Sequence, residues 1–245
     1  MNFSTKNHEH KKNNNNVMSK TKLFNYVTKP YAVVFVILIA TLLSLVDRNL
    51  GYFFGLGITL FIIWQKKWDW SFSGIGQKLN LNTIIKSVWI SVLFFFATGL
   101  IDTIIQYYLG AHNLSSLDDI RGDFGSYLGM MAMMWVFAAF GEELLFHGYY
   151  MRQFAKLFGD TNKAWLLSGV LIAIYFGISH GYQGLSGIIG VGIGSLFFAA
   201  LYYKNKTNLL LLVLIHGIYD SIWITLIYLN KDSIVNEWFQ QLLFL

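Results

Sequence analysis

Along the chain, apolar residues gather in long runs separated by short polar connections. Seven such runs stand out, at 31–46, 50–64, 83–109, 124–150, 164–180, 184–203 and 208–229. A helix needs roughly 20 apolar residues to cross a bilayer. The later runs meet that length, while the first two are shorter and are expected to tilt together. The pattern predicts an all-α fold, a polytopic membrane helix bundle of about seven transmembrane helices occupying 31–230. Before it, residues 1–30 are polar and basic, with an asparagine tract at 13–16 and six lysines. They read as a disordered cytoplasmic tail rather than a signal peptide. After it, 231–245 forms a short amphipathic end expected to lie on the membrane surface.

Composition sharpens this picture. Hydrophobic residues make up 55% of the chain and charged residues 13%, against about 25% charged in ordinary soluble domains. A disordered, coiled-coil or soluble chain is excluded. There are no cysteines, so disulfides, thiolate metal sites and cysteine nucleophiles are excluded as well.

The net charge of +5 reads first as a nucleic-acid signal, but its placement says otherwise. With the N-terminus inside, the inner segments hold Lys6, Lys11, Lys12, Lys20, Lys22, Lys29, Lys66, Lys67, Lys78, Lys86, Arg152, Lys156, Lys163, Lys204 and Lys206, fifteen in all. The outer segments hold three: Arg48, Arg121 and Lys231. Basic residues concentrate on the cytoplasmic side of membrane proteins. The excess positive charge therefore reports topology, with the N-terminus cytoplasmic. The expected setting is the cell membrane, multi-pass, with the lipid bilayer as a partner and nucleic acid not one.

Ionisable residues inside apolar runs are costly and point to function. Here they are Asp102, Glu142, Glu143, His147, His180, His216 and Asp220. Residues four apart share a helix face, so Glu143 pairs with His147 and His216 with Asp220. Glu142 lies about 100° around the helix from Glu143, so one carboxylate is expected to face a cavity while the other braces a neighbouring helix. Phe176 and His180 also share a face. A buried carboxylate suits general-base work, and histidine can share the water or stabilise an oxyanion. The same side chains suit a divalent metal such as zinc. Ser186, Gly190 and Gly194 place small residues on one face of the sixth run, where a neighbouring backbone can come close.

Three blocks, in order, carry a resemblance. Glu142-Glu143-Leu-Leu-Phe-His147 is similar to a motif of paired glutamates followed after three residues by arginine. Phe176-Gly-Ile-Ser-His180 matches Phe-x-x-x-His. His216-Gly-Ile-Tyr-Asp220 matches His-x-x-x-Asn or Asp. Over about 125–230 the chain resembles the CAAX protease and bacteriocin-processing (CPBP, or Abi) family of intramembrane proteases. The resemblance implies an endopeptidase acting on a peptide or protein in or at the membrane. It assigns Glu142 as general base, with His180 sharing the water. It gives oxyanion support to His216 and Asp220, and makes Glu143 and His147 orienting residues. If a metal is used, the resemblance implies Glu142, His180 and His216 as its ligands. One departure stands out. Where the family carries an always-charged arginine, this chain carries His147, a residue type without a permanent charge. Arg152 follows five residues later, off that face.

Other readings of the same residues are a rhomboid-type Ser–His dyad built on Gly184-Leu-Ser186-Gly187 and His216, a proton-coupled transporter, and a non-catalytic bacteriocin-immunity or regulatory scaffold of the same family. The His-Glu-x-x-His string of a zinc protease is absent.

Overall fold

The computed structural model describes residues 22–244. The chain folds as two units divided after Asp69. In the first, residues 22–27 are helical, at the end of the segment read as a disordered tail; residues 1–21 lie outside the described residues. Helix α1 (Ala32–Ser44) turns into α2 (Arg48–Gln65), whose N-terminus is capped by the Asp47 carboxylate accepting from the Asn49 N–H at 2.8 Å. The two form a hairpin in which Gly51 meets Ala40 and Ser44 with no room for a side chain.

The second unit begins with a 3₁₀ turn, Trp70–Ser73. Helices α3 (Leu81–Leu109), α4 (Phe124–Leu157), α5 (Asn162–Ser179), α6 (Gly184–Lys204) and α7 (Leu209–Tyr228) follow, then α8 (Ile234–Phe244). Polar side chains begin most of these helices by occupying otherwise unpaired N–H groups. Asn80 accepts from Thr83, Asp123 from Ser126, Thr161 from Ala164 and Asn208 from Leu211. Among the described residues the isolated β pairing is Ile75 with Asn208, which ties the loop before α3 to the start of α7.

Seven spans were expected, but five helices are long and apolar enough to cross a membrane: α3, α4, α5, the segment Gly181–Lys204 ending in α6, and α7. The difference lies in the first two runs. At 1.5 Å per residue, the 13 residues of α1 reach about 20 Å, short of the roughly 30 Å hydrocarbon core. Helix α2 has 18 residues, but Arg48, Asn49 and Gln65 at its ends leave a shorter apolar middle.

In lipid, helices associate through close packing of small residues and internal hydrogen bonds rather than through the hydrophobic effect. Gly177 of α5 abuts Gly192 and the Ile188 carbonyl of α6, and Gly169 abuts Ala199. At two of the small residues predicted to admit a neighbouring backbone, side chains come close instead: Gly190 faces Asp102 and Gly194 faces Phe94, both on α3. The buried Ser91 hydroxyl on α3 bonds the carbonyls of Ser87 (2.7 Å) and Ile215 (3.1 Å), fixing α7 one residue before His216. The amphipathic α8 lays Val235 and Phe239 onto Gly99 of α3 and leaves Trp238 and Leu242 exposed. Its start is tied down by Arg121, whose guanidinium donates to both oxygens of Asp232, at 2.7 and 2.9 Å. These bonds hold the Asp232 carboxyl below the usual carboxylate range.

Candidate active site

Helix α4 changes its winding through Met134–Met151, where the backbone bonds i to i+5. Such wide turns recur at functional sites. This stretch carries Glu142, Glu143 and His147. Almost every residue from Ala139 to Met151 is buried, the half-buried Phe140 and Glu142 excepted.

Glu143 is the hub. Its Oε1 accepts a hydrogen bond from Nδ1–H of His216 on α7 at 2.8 Å. Its Oε2 lies 2.7 Å from Nδ1 of His147, one turn along α4. Apart from this contact, Glu143 Oε2 and both His147 nitrogens have no hydrogen-bond partner among the described residues. On α7, His216 Nε2 lies 3.3 Å from Asp220 Oδ2. The spacing-based pairs, Glu143 with His147 and His216 with Asp220, are therefore both present, and Glu143 joins them into one chain of four side chains.

Glu142 is half-buried beside this chain, near enough to His216, Asp220 and Glu143 to feel their charges. It makes no hydrogen bond among the described residues, unlike Glu143, whose Oε1 accepts from His216 and whose Oε2 contacts His147. Of the paired glutamates, Glu143 is the one that braces α7.

His180 is the C-cap of α5 rather than a residue within the span. Its Nδ1–H donates to the Phe176 carbonyl at 2.9 Å, and its ring packs 4.5 Å from that of Phe176. Phe176 in turn meets Phe146 of α4 edge-on at 4.7 Å. The second block therefore reaches the first through aromatic packing, and the third reaches it through a hydrogen bond.

Two aromatic residues of α6 escaped the sequence reading. Phe198 lies between the rings of His147 (6.3 Å) and His216 (5.5 Å). Tyr202, fully buried, packs on His147 at 6.2 Å and donates its hydroxyl hydrogen to the Ser73 carbonyl at 2.9 Å. Their spacing of four residues marks one face of α6, but in a uniformly apolar helix that signal does not separate a site wall from ordinary packing. Asp102, the remaining ionisable residue, stands apart on α3, 3.9 Å from Nε2 of His112 in the following loop. Burial lowers the pKa of that ring.

Among the described residues, no three His, Asp or Glu side chains are placed to hold a metal ion. Of the ligands considered for zinc, His216 has both ring nitrogens directed at carboxylates and His180 has Nδ1 on a backbone carbonyl. These residues do not fit a metal centre as they stand. The rhomboid reading fails on the same histidine, since neither His216 nitrogen is left for Ser186.

A helical membrane protein with a buried Glu–His–Asp chain on two spans, and a histidine at the end of a third, is the class that fold and site define. Within it, residues 124–222 match the family model of the Rce1-like type II CAAX prenyl endopeptidases. This segment is similar to that protease family, and it holds all three motif blocks. No curated protein and no solved structure matches the chain.

Proposed function

We propose that the protein is an intramembrane endopeptidase that hydrolyses a peptide bond in a membrane-associated protein or peptide precursor, with Glu142 as general base. The observation that carries this is the Glu143–His216 hydrogen bond. It assembles two blocks from distant parts of the chain and leaves the adjacent Glu142 carboxylate unbonded beside them.

In this reading Glu142 takes a proton from water, and the hydroxide attacks the scissile carbonyl carbon. The C–N bond of the tetrahedral intermediate then breaks, and the proton passes from Glu142 to the leaving amine. His180 positions the water. His216 stabilises the developing oxyanion through its charge, since its N–H groups are already directed at Glu143 and Asp220. Aimed, preorganised charge of this kind is typically the largest single contribution to such a reaction.

With five spans Arg48 joins the inner side, and the count of sixteen inner to two outer basic residues supports a cytoplasmic N-terminus. Losing two spans leaves the parity unchanged, so α3–α7 keep their orientation. His180 then lies toward the outer face, and Arg152 and Lys206 toward the cytoplasm.

The test is processing of a membrane-anchored reporter peptide by wild type, Glu142→Ala and His180→Ala at matched membrane levels. Both variants should lose cleavage while accumulating normally. Unchanged processing in both would sink the catalytic reading and leave a binding scaffold.

A further inference from the structure

His180 ends α5, and the turn that follows it is held by more than α5. The Gln183 N–H donates to the His180 carbonyl at 2.9 Å, and the Gln183 carbonyl accepts from the Asn113 N–H at 3.0 Å. Asn113 belongs to the loop after α3. Gln183 is thus held by the histidine turn on one side and by that loop on the other. Its side chain meets the His112 ring. It also folds over the bare Cα of Gly187 on α6, where a Cβ would come within 3.1 Å of its Oε1.

The loop is anchored in turn by α3 and α6. Nε2 of His112 is buried and has no hydrogen-bond partner among the described residues. Across from it, 3.9 Å away, lies Oδ1 of Asp102. Both side chains rest on Gly190 of α6. A Cβ there would run into Asp102 Oδ1 and lie 3.3 Å from His112 Cε1, so the two fit only against a bare Cα. An ionisable side chain in a membrane helix is costly, and the proposed reaction uses neither Asp102 nor His112.

The same helix braces the other histidine. Ser91 of α3 donates to the Ile215 carbonyl at 3.1 Å, beside His216. Phe94 stacks on Phe197 at 4.6 Å and meets Phe198 edge-on at 5.3 Å, and Phe198 packs on His216. Helix α3 and the loop after it precede the segment 124–222 that matches the protease family, yet they support the surroundings of both histidines.

We propose that Asp102 and His112 are positioning residues: packed together on Gly190, they seat the loop after α3 so that Asn113 and Gln183 hold the turn carrying His180. They act through that loop and not by contact with substrate. The catalytic consequence rests on the protease reading; the geometry does not. A group displaced by about 1 Å can cost on the order of a hundredfold in rate, while substrate binding through other contacts is left alone.

The experiment compares the full chain in lipid nanodiscs as wild type, Asp102→Ala, Asp102→Asn, His112→Ala and Thr103→Ala. Thr103 is the control: it is buried on the same helix, and its hydroxyl bonds the Gly99 carbonyl of that helix at 2.8 Å. Thermal stability is read beside kcat and KM for reporter cleavage. The His180 ring is followed by NMR with labelled histidine and assigned by its loss in His180→Ala. Asp102→Ala and His112→Ala should shift the His180 signal and lower kcat by roughly tenfold or more with KM little changed. His112→Ala, in a loop, keeps the test open should Asp102→Ala fail to accumulate. Asp102→Asn keeps the shape and one oxygen and should retain most of kcat. Thr103→Ala should leave the signal and kcat near wild type even where stability falls. A His180 signal unmoved by both alanine variants would overturn the proposal. So would a loss of kcat in Thr103→Ala as large as theirs at equal loss of stability. If no chain cleaves, wild type included, but the signal moves in the Asp102 and His112 variants and not in Thr103→Ala, the positioning role stands and the protease reading falls. If wild type cleaves and the signal stays put, the reverse holds.

Discussion

Glu143 and His216 stand 73 residues apart in the chain and 2.8 Å apart in the fold. Because Glu143 also meets His147, a single carboxylate compensates two buried rings. Removing it should therefore cost more than removing either ring. Glu143→Ala is expected to destabilise the protein by about 3 kcal/mol, the low end for breaking a buried ion pair. Glu143→Gln, which keeps an acceptor for His216, should cost less. Unfolding in detergent at one fixed pH checks the order, and equal losses for Glu143→Ala and His147→Ala would contradict the hub arrangement.

Much of this was legible in the sequence. Spacing of four residues predicts Glu143 with His147 and His216 with Asp220, because one helical turn places their side chains together whatever the tertiary fold. Run length predicts the spans from α3 to α7. Which of Glu142 and Glu143 meets α7 was not legible, since a helical wheel separates the two side chains without showing it. The first two runs misled because they are apolar enough for a span while their helices, or the apolar parts of them, are too short. Phe198 and Tyr202 could not be singled out because aromatic residues in a lipid-facing or packing helix look alike in sequence.

Gly217, next to His216, is a sensitive position. A side chain there would drive into the ring of Trp135 on α4, whose Nε1–H donates to Ser221 Oγ at 3.2 Å. Indole cannot step aside without losing that bond. Gly217→Ala should shift α7 against α4, costing about 1–3 kcal/mol as overpacking does. If the protease reading holds, cleavage should fall with it, because His216 moves off Glu143. A fully active and equally stable Gly217→Ala variant would show that this contact has slack.

Gly177 tests the placement of His180 separately. A Cβ at Gly177 would lie 2.5 Å from the Ile188 carbonyl oxygen and 3.1 Å from the Gly192 Cα on α6, and backbone cannot rotate away as a side chain can. Gly177→Ala should pry apart α5 and α6 just before the C-cap histidine. Its signature is a loss of cleavage larger than the loss of stability, in contrast to Gly169→Ala, which presses on Ala199 and Met151 farther from His180. Parallel effects of the two substitutions on both readouts would argue that His180 does not depend on this contact.

The tie between Arg121 and Asp232 predicts how the C-terminal helix responds to acid. Arg121 holds the Asp232 carboxyl below its ordinary range in the folded protein. A carboxylate shifted downward stabilises the fold at pH values above its unfolded pKa of about 3.9 and loses that contribution as pH falls toward the folded value. With Arg121 and Asp232 partly exposed, the contribution is on the order of 1 kcal/mol at most. It is enough to shift a local opening of α8, which rests on α3 mainly through Val235 and Phe239 at Gly99. Hydrogen exchange across 231–244 should quicken below roughly pH 4 in wild type, with α3–α7 still protected. Arg121→Ala should show the faster exchange already at neutral pH and little further change on acidification. Wild-type and Arg121→Ala exchange rates that match at neutral pH would mean that packing alone seats α8.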